Sequence, residues 1–493
     1  MRVIRACREM GLGTVAVYSE CDRDALHVRL ADEAFGLGPN PAIESYLRID
    51  RIVDAARQSG AALVHPGYGF LAENAEFAQA CADAGLTFVG PEPAVIERMG
   101  SKTAAREAAV RAGIPIVPGT AAPFGPGANE EAIAAAAHEV GFPLLVKAVA
   151  GGGGKGMRVV ASTAGLSPAV RAARSEAASA FGDPAVYLEK KLAAPRHIEI
   201  QLLGDAFGTV VPFVERECSI QRRHQKIVEE SPSPVVDQPT RLAMAACAAR
   251  VAREVGYTGA GTIEFLFDPP HWYFLEMNTR LQVEHPVTEM VTGIDLVHWQ
   301  LRIALGERLA VTPDRALRPE GHAVECRVYA EDPDAGFLPS PGRVRAMAVP
   351  GGPGVRDDRG VAAGFEIPSF YDSMIAKLIC WGPDRTAAIA RLRRALAEYR
   401  VVGVSTTVPF FLWLVEQPEF LEGRFDTTYL DRVLRDRRNQ PFMPPAPGDE
   451  QDAAIAAALA EWLRSRRTTA APTAAREGHW RRAARSEALR GQS

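Results

Sequence analysis

Cysteine, lysine and long hydrophobic runs are all scarce in this 493-residue chain. Seven scattered cysteines, an odd number with no Cys-x-x-Cys pair, supply neither a disulfide framework nor a zinc site and fit reduced thiols. Cys218 sits in a charged segment and is read as a bystander. The most apolar short stretch, Val408-Pro-Phe-Phe-Leu-Trp-Leu-Val415, falls far below the roughly 20 residues that a spanning helix needs, so no membrane role is expected. The opening Met-Arg-Val-Ile-Arg-Ala-Cys does not make a signal peptide, and a cytoplasmic location is expected. Neither sign of charge dominates: 56 basic against 60 acidic residues leave a net charge of -4, which gives no argument for nucleic acid. Only seven of the 56 basic residues are lysine, and Lys102, Lys147, Lys155, Lys190 and Lys226 fall between residues 102 and 226. Where arginine fills most surface cation positions, the remaining lysines mark places suited to a compact point charge, phosphate binding foremost.

What is present is a large globular chain, 47% hydrophobic and long enough for several domains. The first hundred residues alternate helix and strand. Helices over Val3–Met10, Leu47–Gln58 and Ala75–Ala84 interleave with strands at Thr14–Tyr18, Ala61–Val64 and Thr87–Val89. Short apolar strands of this kind imply a parallel sheet covered on both faces, although no strand precedes the first helix. A second region spans about 100–310, with its strands in hairpins, and a third about 321–434, opening on His322-Ala-Val-Glu-Cys-Arg-Val328. After Asn439 come a Pro-rich linker, an Ala-rich helix and an Arg-rich tail, read as a flexible or partner-binding appendage.

Two segments carry chemistry. Gly151, Gly153 and Gly156 satisfy G-x-G-x-x-G, but the strand-like Met157-Arg-Val-Val160 follows where a dinucleotide site needs a helix. A Walker A loop fails as well, since Lys155 precedes the last glycine and no Ser or Thr follows. The better reading is a hairpin tip, with Lys147 and Lys155 nearby, whose backbone N–H groups close over a polyphosphate; a plain flexible loop is the alternative. In Gly261–Arg280 two alternating segments flank a Pro-containing turn. A hairpin centred near Pro270 sets Glu264 opposite Glu276, and period two adds Asn278 and Arg280 to that face. Opposed carboxylates repel unless a cation lies between them, and oxygen ligands suit Mg²⁺ or Mn²⁺; a solvated face without metal is the alternative. With Lys226 from the upstream segment Glu217–Glu230, Arg280 suits a small anion, and Glu284 downstream suits removal of its proton; surface charge is the alternative for each residue singly.

These segments belong to longer motifs: His65-Pro-Gly-Tyr-Gly-Phe-Leu-Ala-Glu-Asn74, Lys147–Met157, Arg196-His-Ile-Glu-Ile-Gln201, Glu276–Glu289, Gly321–Arg327 and Tyr371-Asp-Ser-Met-Ile-Ala-Lys377. Over about residues 1 to 433 the chain resembles biotin carboxylase, the ATP-grasp enzyme of biotin-dependent carboxylases. The resemblance implies a mixed α/β and α+β fold of ATP-grasp architecture. Its parts are an N-terminal Rossmann-like domain (1–99), an ATP-grasp domain (100–310) with a mobile lid (118–191), a C-terminal biotin carboxylase domain (321–434), and a linker and tail (439–493). It implies that ATP phosphorylates bicarbonate to carboxyphosphate, whose CO2 then adds to N1′ of biotin. By the same resemblance Lys102, Lys147, the lid residues Gly151, Gly152, Gly153, Gly154, Lys155, Gly156 and Met157, and Glu189, Lys190, Leu192, His197, Gln221 and His224 bind ATP. Glu264 and Glu276, with Asn278, hold two Mg²⁺ or Mn²⁺ ions. Bicarbonate sits against Lys226, Arg280, Gln282 and Val283 with Glu284 as base. Arg327 stabilises the ureido oxygen of biotin, and Tyr68 lies near it.

Two departures from the pattern bear on these expectations. The family's opening strand and Asn-Arg-Gly-Glu-Ile-Ala loop have no counterpart before Met1, which predicts an N-terminal domain short of its central strand. No Met-Lys-Met biotin-acceptor motif occurs, so biotin is expected on a separate biotin carboxyl carrier protein, with separate carboxyltransferase subunits. The resemblance also implies a homodimer, with Arg5, Glu9 and the region near Arg356 at its surface. Another ATP-grasp ligase and a non-catalytic paralogue are the remaining alternatives.

Overall fold

The computed structural model describes residues 1–149, 157–437, 440–444 and 448–469. They fall into two compact units, Met1–Phe442 and Met443–Ser493.

In the first unit, helices Arg2–Glu9, Ile49–Ser59 and Ala75–Asp83 interleave with β1 (Val15–Ser19), β2 (Glu33–Gly38), β3 (Leu63–Val64) and β4 (Thr87–Phe88). Asn74 caps its helix by accepting from the Phe77 amide at 2.6 Å, and Gly60 ends another in the left-handed conformation at φ 68°. Pairing is parallel as expected, but β1–β2 and β3–β4 form two separate two-stranded sheets rather than one. With β3 and β4 only two residues long, the ladder contributes little, and Val53, Ala56, Leu71, Phe77 and Cys81 of the flanking segments bury the apolar surface instead.

The region 118–191 holds β5 (Leu144–Ala148), β6 (Arg158–Val160) and β7 (Val186–Lys190) in the antiparallel order β6-β5-β7. Ile133 and Ala137 of helix Glu130–Val140 and Val170 of helix Leu166–Phe181 close its core against Leu144, Val146, Val160 and Leu188. β5 and β6, which flank residues 150–156, pair antiparallel, and a strand rather than a helix follows Met157.

The largest element is an eight-stranded antiparallel sheet. Its strands include β8 (Arg196–Gly204), β9 (Val210–Arg222), β10 (Gln225–Ser231), β11 (Gly259–Asp268), β12 (His271–Asn278) and β13 (His322–Tyr329). The order is β12-β11-β8-β9-β10-β13, continued by Met374–Gly382 and Val355–Arg359. One face of β8 and β11 presents Ile198, Ile200, Leu202, Ile263 and Phe265 to Met244, Ala248 and Val251 of helix Gln238–Glu254. The other face carries His197, Glu199, Gln201, Thr262 and Glu264, all buried and polar. Period-two alternation thus separates an apolar core from a polar floor. Because β10 pairs with β13, the sheet runs without a break from the second expected domain into the third. In the second unit, residues Asp449–Thr469 form the expected Ala-rich helix, with Ile455, Leu459, Trp462 and Leu463 exposed.

Candidate active site

The polar floor opens into a cavity of about 620 Å³, within the range of small-ligand sites. The residues singled out in the sequence converge there: Tyr68, Lys147, Met157, Glu189, Lys190, Leu192, His197, Gln221, His224, Lys226, Glu264, Glu276, Asn278, Arg280, Gln282, Val283, Glu284 and Arg327 all line it. Gly151 to Gly154, Lys155 and Gly156 lie outside the described residues. Lys102 opens helix Lys102–Arg111, and its side chain lies outside them as well.

Lys226 is the centre of charge. From β10 its ammonium reaches Glu264 Oε1 and Glu284 Oε1, both at 2.8 Å, and Glu199. Burial disfavours the charge, yet these three carboxylates outweigh it and raise the Lys226 pKa well above its ordinary value. Glu284 is gripped on both oxygens, since Arg327 Nη2 lies 2.9 Å from Oε2. Burial opposes its ionisation, but Lys226 and Arg327 prevail and hold the carboxyl down at about 2. Glu284 is therefore a carboxylate with a cation on each oxygen.

The hairpin β11–β12 has the register that its sequence predicts: Glu264 lies opposite Glu276 and Thr262 opposite Asn278. Glu264 Oε1 also accepts from Asn278 Nδ2 at 2.9 Å and Gln282 Nε2 at 2.8 Å. His197 Nε2 lies 2.9 Å from Glu264 Oε2, outside hydrogen-bond alignment. Burial works against protonation of His197, and Glu264 overrides it, pushing the ring up to about 9. Two facing carboxylates with an amide beside them form an oxygen donor set that fits a hard divalent cation. Asn278 Oδ1 accepts from Arg280 Nη2 at 3.0 Å, so in this arrangement the amide joins Arg280 to Glu264.

At the end bounded by β5 and β7, Lys147 and Arg106 both bind Glu189, the latter at 2.8 Å. Gln221 and His224 stand at the turn between β9 and β10, where Arg223 (φ 51°) and His224 (φ 65°) both take the left-handed conformation of a tight hairpin turn. Residues other than glycine, Asn or Asp adopt it at some cost, and such strain gathers at functional sites.

Several residues that complete the site were not singled out in the sequence. Arg216, with 0% exposure, donates to Glu199, Gln201, Thr262, Thr288 and Gln282, fixing the floor beneath Lys226. Glu73 accepts from the Thr279 amide and from Arg280 Nε, both at 2.9 Å, so the first region positions an arginine of the second. Glu229 takes Arg327 Nε at 2.6 Å, and Lys377 binds Val283 O at 2.5 Å. Glu73 and Lys377 lie inside motifs recognised in the sequence, but nothing in local spacing reveals contacts that depend on strands far apart in the chain. Burial pushes the Cys218 thiol well above its ordinary value, in keeping with a bystander. A second cavity of about 970 Å³ meets the first at Tyr68, Val283, Arg327, Tyr329 and Asp372. Arg327 thus stands between a lid-facing chamber and a second one, and Lys377 Nζ lies 5.8 Å from the Tyr68 ring centroid.

Known proteins resemble this chain in sequence and fold. Residues 1–96 match the family model for the biotin carboxylase N-terminal domain, residues 101–312 that for the carbamoyl-phosphate synthase L chain ATP-binding domain, and residues 325–432 that for the biotin carboxylase C-terminal domain. The chain is 50% identical over 433 residues to biotin carboxylase 1 of Bacillus subtilis, covering 87% of this chain and 95% of that protein. It is 48% identical over 434 residues to biotin carboxylase of Pseudomonas aeruginosa, covering 88% and 96%. Among solved structures, biotin carboxylase from Campylobacter jejuni superposes with a TM-score of 0.84 at 44% identity, covering 87% of this chain and 96% of that one. The biotin carboxylase domain dimer of Hydrogenobacter thermophilus 2-oxoglutarate carboxylase, in complex with MgADP, ADP and bicarbonate, also gives 0.84, at 45% identity and with 89% and 96% covered.

Proposed function

The chain belongs to the biotin carboxylase family, and we infer from that membership that it is an ATP-dependent ligase that carboxylates biotin with bicarbonate. The observation that carries the reading to residues is the unbroken charge chain Lys226–Glu284–Arg327, which runs through the first cavity and ends at Arg327 on the wall shared with the second.

Each group has a task in that chemistry. Lys147 and the lid take the nucleotide phosphates, with Glu189 released from Lys147 as ATP enters, and Gln221 and His224 lie along the nucleotide. Glu264 and Glu276 hold Mg²⁺ or Mn²⁺, and the ion, when bound, offsets the charge that develops in phosphoryl transfer. Bicarbonate competes with Glu284 for Lys226 and takes Arg280 as its second cation. As the ammonium turns to the anion, Glu284 regains the basicity that Lys226 suppresses, at the moment a base is needed for the bicarbonate hydroxyl. Carboxyphosphate then yields CO2 and phosphate within reach of the second cavity, where Tyr68 borders the biotin. Arg327 stabilises the ureido oxygen as N1′ gives its proton to the released phosphate and bonds to CO2, which places a fixed cation where negative charge builds up.

We place the domain divisions at 1–99, 100–310 and 321–434, with the helix and tail as an appendage. Biotin is presented on a carrier protein, a carboxyltransferase chooses the acyl-CoA acceptor, and the working form is a homodimer.

ADP release from MgATP and bicarbonate, with and without free biotin, tests the reading. Biotin stimulates release in the wild type, and Glu284→Gln lowers the stimulated rate by roughly 10²- to 10⁴-fold. An ADP rate indifferent to biotin sinks the assignment.

A further inference from the structure

Beneath Arg327 lies a group of buried acids to which the mechanism above gives no part. Glu229 and Glu325 are both 0% exposed. They stand opposite each other on β10 and β13, where facing Cβ atoms lie about 4.5–5.5 Å apart. Glu229 Oε1 holds Arg327, but Glu229 Oε2 and both oxygens of Glu325 are buried with no hydrogen-bond partner. An ionised carboxylate in that position would be a buried charge without a donor, which proteins avoid by keeping the proton. A single proton removes one of the two buried charges and satisfies two of the three open oxygens, since the O–H of one acid donates to an open oxygen of the other.

The surrounding charges leave room for this. Lys377 from strand Met374–Gly382 and Arg327 from β13 favour ionisation of Glu325, whereas Glu229 and Glu284 oppose it. Lys226 of β10 and Cys218 of β9 lie on the side of Glu229 and Glu284, with the thiol protonated. His285, which follows Glu284, is held neutral by burial, and Asp358 pairs in register with Lys377 from the far strand. Burial outweighs every neighbour and pushes Glu325 up to about 8, with Glu229 also raised.

We propose that Glu229 and Glu325 share one proton and act as a positioning pair for Arg327. Glu229 Oε1 lies 2.6 Å from both Nε and Nη2 and orients the guanidinium, and the neutral partner keeps the pair at a single negative charge, so that Arg327 stays aimed at Glu284 and at substrate. The role in turnover rests on the biotin-carboxylating reading of this site; the shared proton does not.

Infrared difference spectroscopy of the full chain without substrates tests the proton itself. A protonated-carboxyl C=O band is expected at neutral pH, fading as pH rises through about 8 and missing from Glu325→Gln. The pH profile of biotin-dependent ADP release tests the positioning. Glu325→Gln, a permanent donor of the same shape, stays within about threefold of wild type near neutrality and loses the wild type's alkaline decline. Glu229→Gln raises the KM for biotin by about tenfold or more, since Arg327 loses a charged partner, and changes biotin-independent ADP release much less. A spectrum unaltered by Glu325→Gln, or the same alkaline midpoint in both proteins, overturns the proposal. Should the wild type show no biotin dependence, the functional reading falls, and the infrared band still decides whether the proton is shared.

Discussion

Arg216 has no solvent contact and donates five hydrogen bonds, one of them to the buried carboxylate of Glu199. Arg216→Met should therefore destabilise the protein by about 3–5 kcal/mol, because Glu199 is left with one cation fewer in a dry site. Chemical denaturation of the full chain measures this, and a change below about 1 kcal/mol would refute the structural role. At this scale the sequence was informative where a residue type is unusual in its surroundings. Lys226 stands out among arginines, and Glu284 and Arg280 stand out beside core-like residues. It was silent on Arg216, one arginine among many, whose importance comes only from burial. Glu325 was within reach, since period two along His322–Val328 places it on the same strand face as Arg327, but no spacing rule says that its oxygens lack donors.

At the scale of elements, the hairpin β11–β12 was legible because its two halves alternate around a defined turn, and the register Glu264–Glu276 follows from counting. Glu276→Gln should raise the Mg²⁺ or Mn²⁺ concentration needed for half-maximal ADP release by at least about tenfold. A metal titration at saturating ATP decides it, and an unchanged requirement would remove Glu276 from the metal set. The turn at Arg223–His224 was not legible, since neither residue type announces a left-handed backbone. Arg223→Gly should relieve that strain and stabilise the protein by up to about 1 kcal/mol, visible as a raised unfolding midpoint; a lowered midpoint would mean that the Arg223 side chain contributes more than its backbone costs. The single parallel sheet expected in the first hundred residues was over-read, because apolar tripeptides such as Ala62–Val64 signal burial but not how far a ladder extends.

At the scale of the whole molecule, the joined sheet depends on an acid that must stay ionised. Glu230, at the β10–β13 seam, is opposed by burial but held down to about 2 by Arg385 and His322. Its unfolded value is about 4.5, so the unfolded chain binds more protons between the two values, and stability falls as pH drops from about 4.5 towards about 2. The loss from this group is about 3 kcal/mol. Arg385→Met should shift the acid unfolding midpoint to higher pH, followed by circular dichroism, and an unmoved midpoint would assign the acid sensitivity elsewhere. The continuity of the sheet also limits how this gene product can be divided. Cutting the chain between residues 310 and 321 would leave β10 and β13 with unpaired edges and would uncover the acids Glu229, Glu230 and Glu325 buried along their seam, each edge a template for pairing with other chains. Halves made separately should aggregate rather than fold, and only co-expressed halves, able to re-form that seam, should yield a soluble complex.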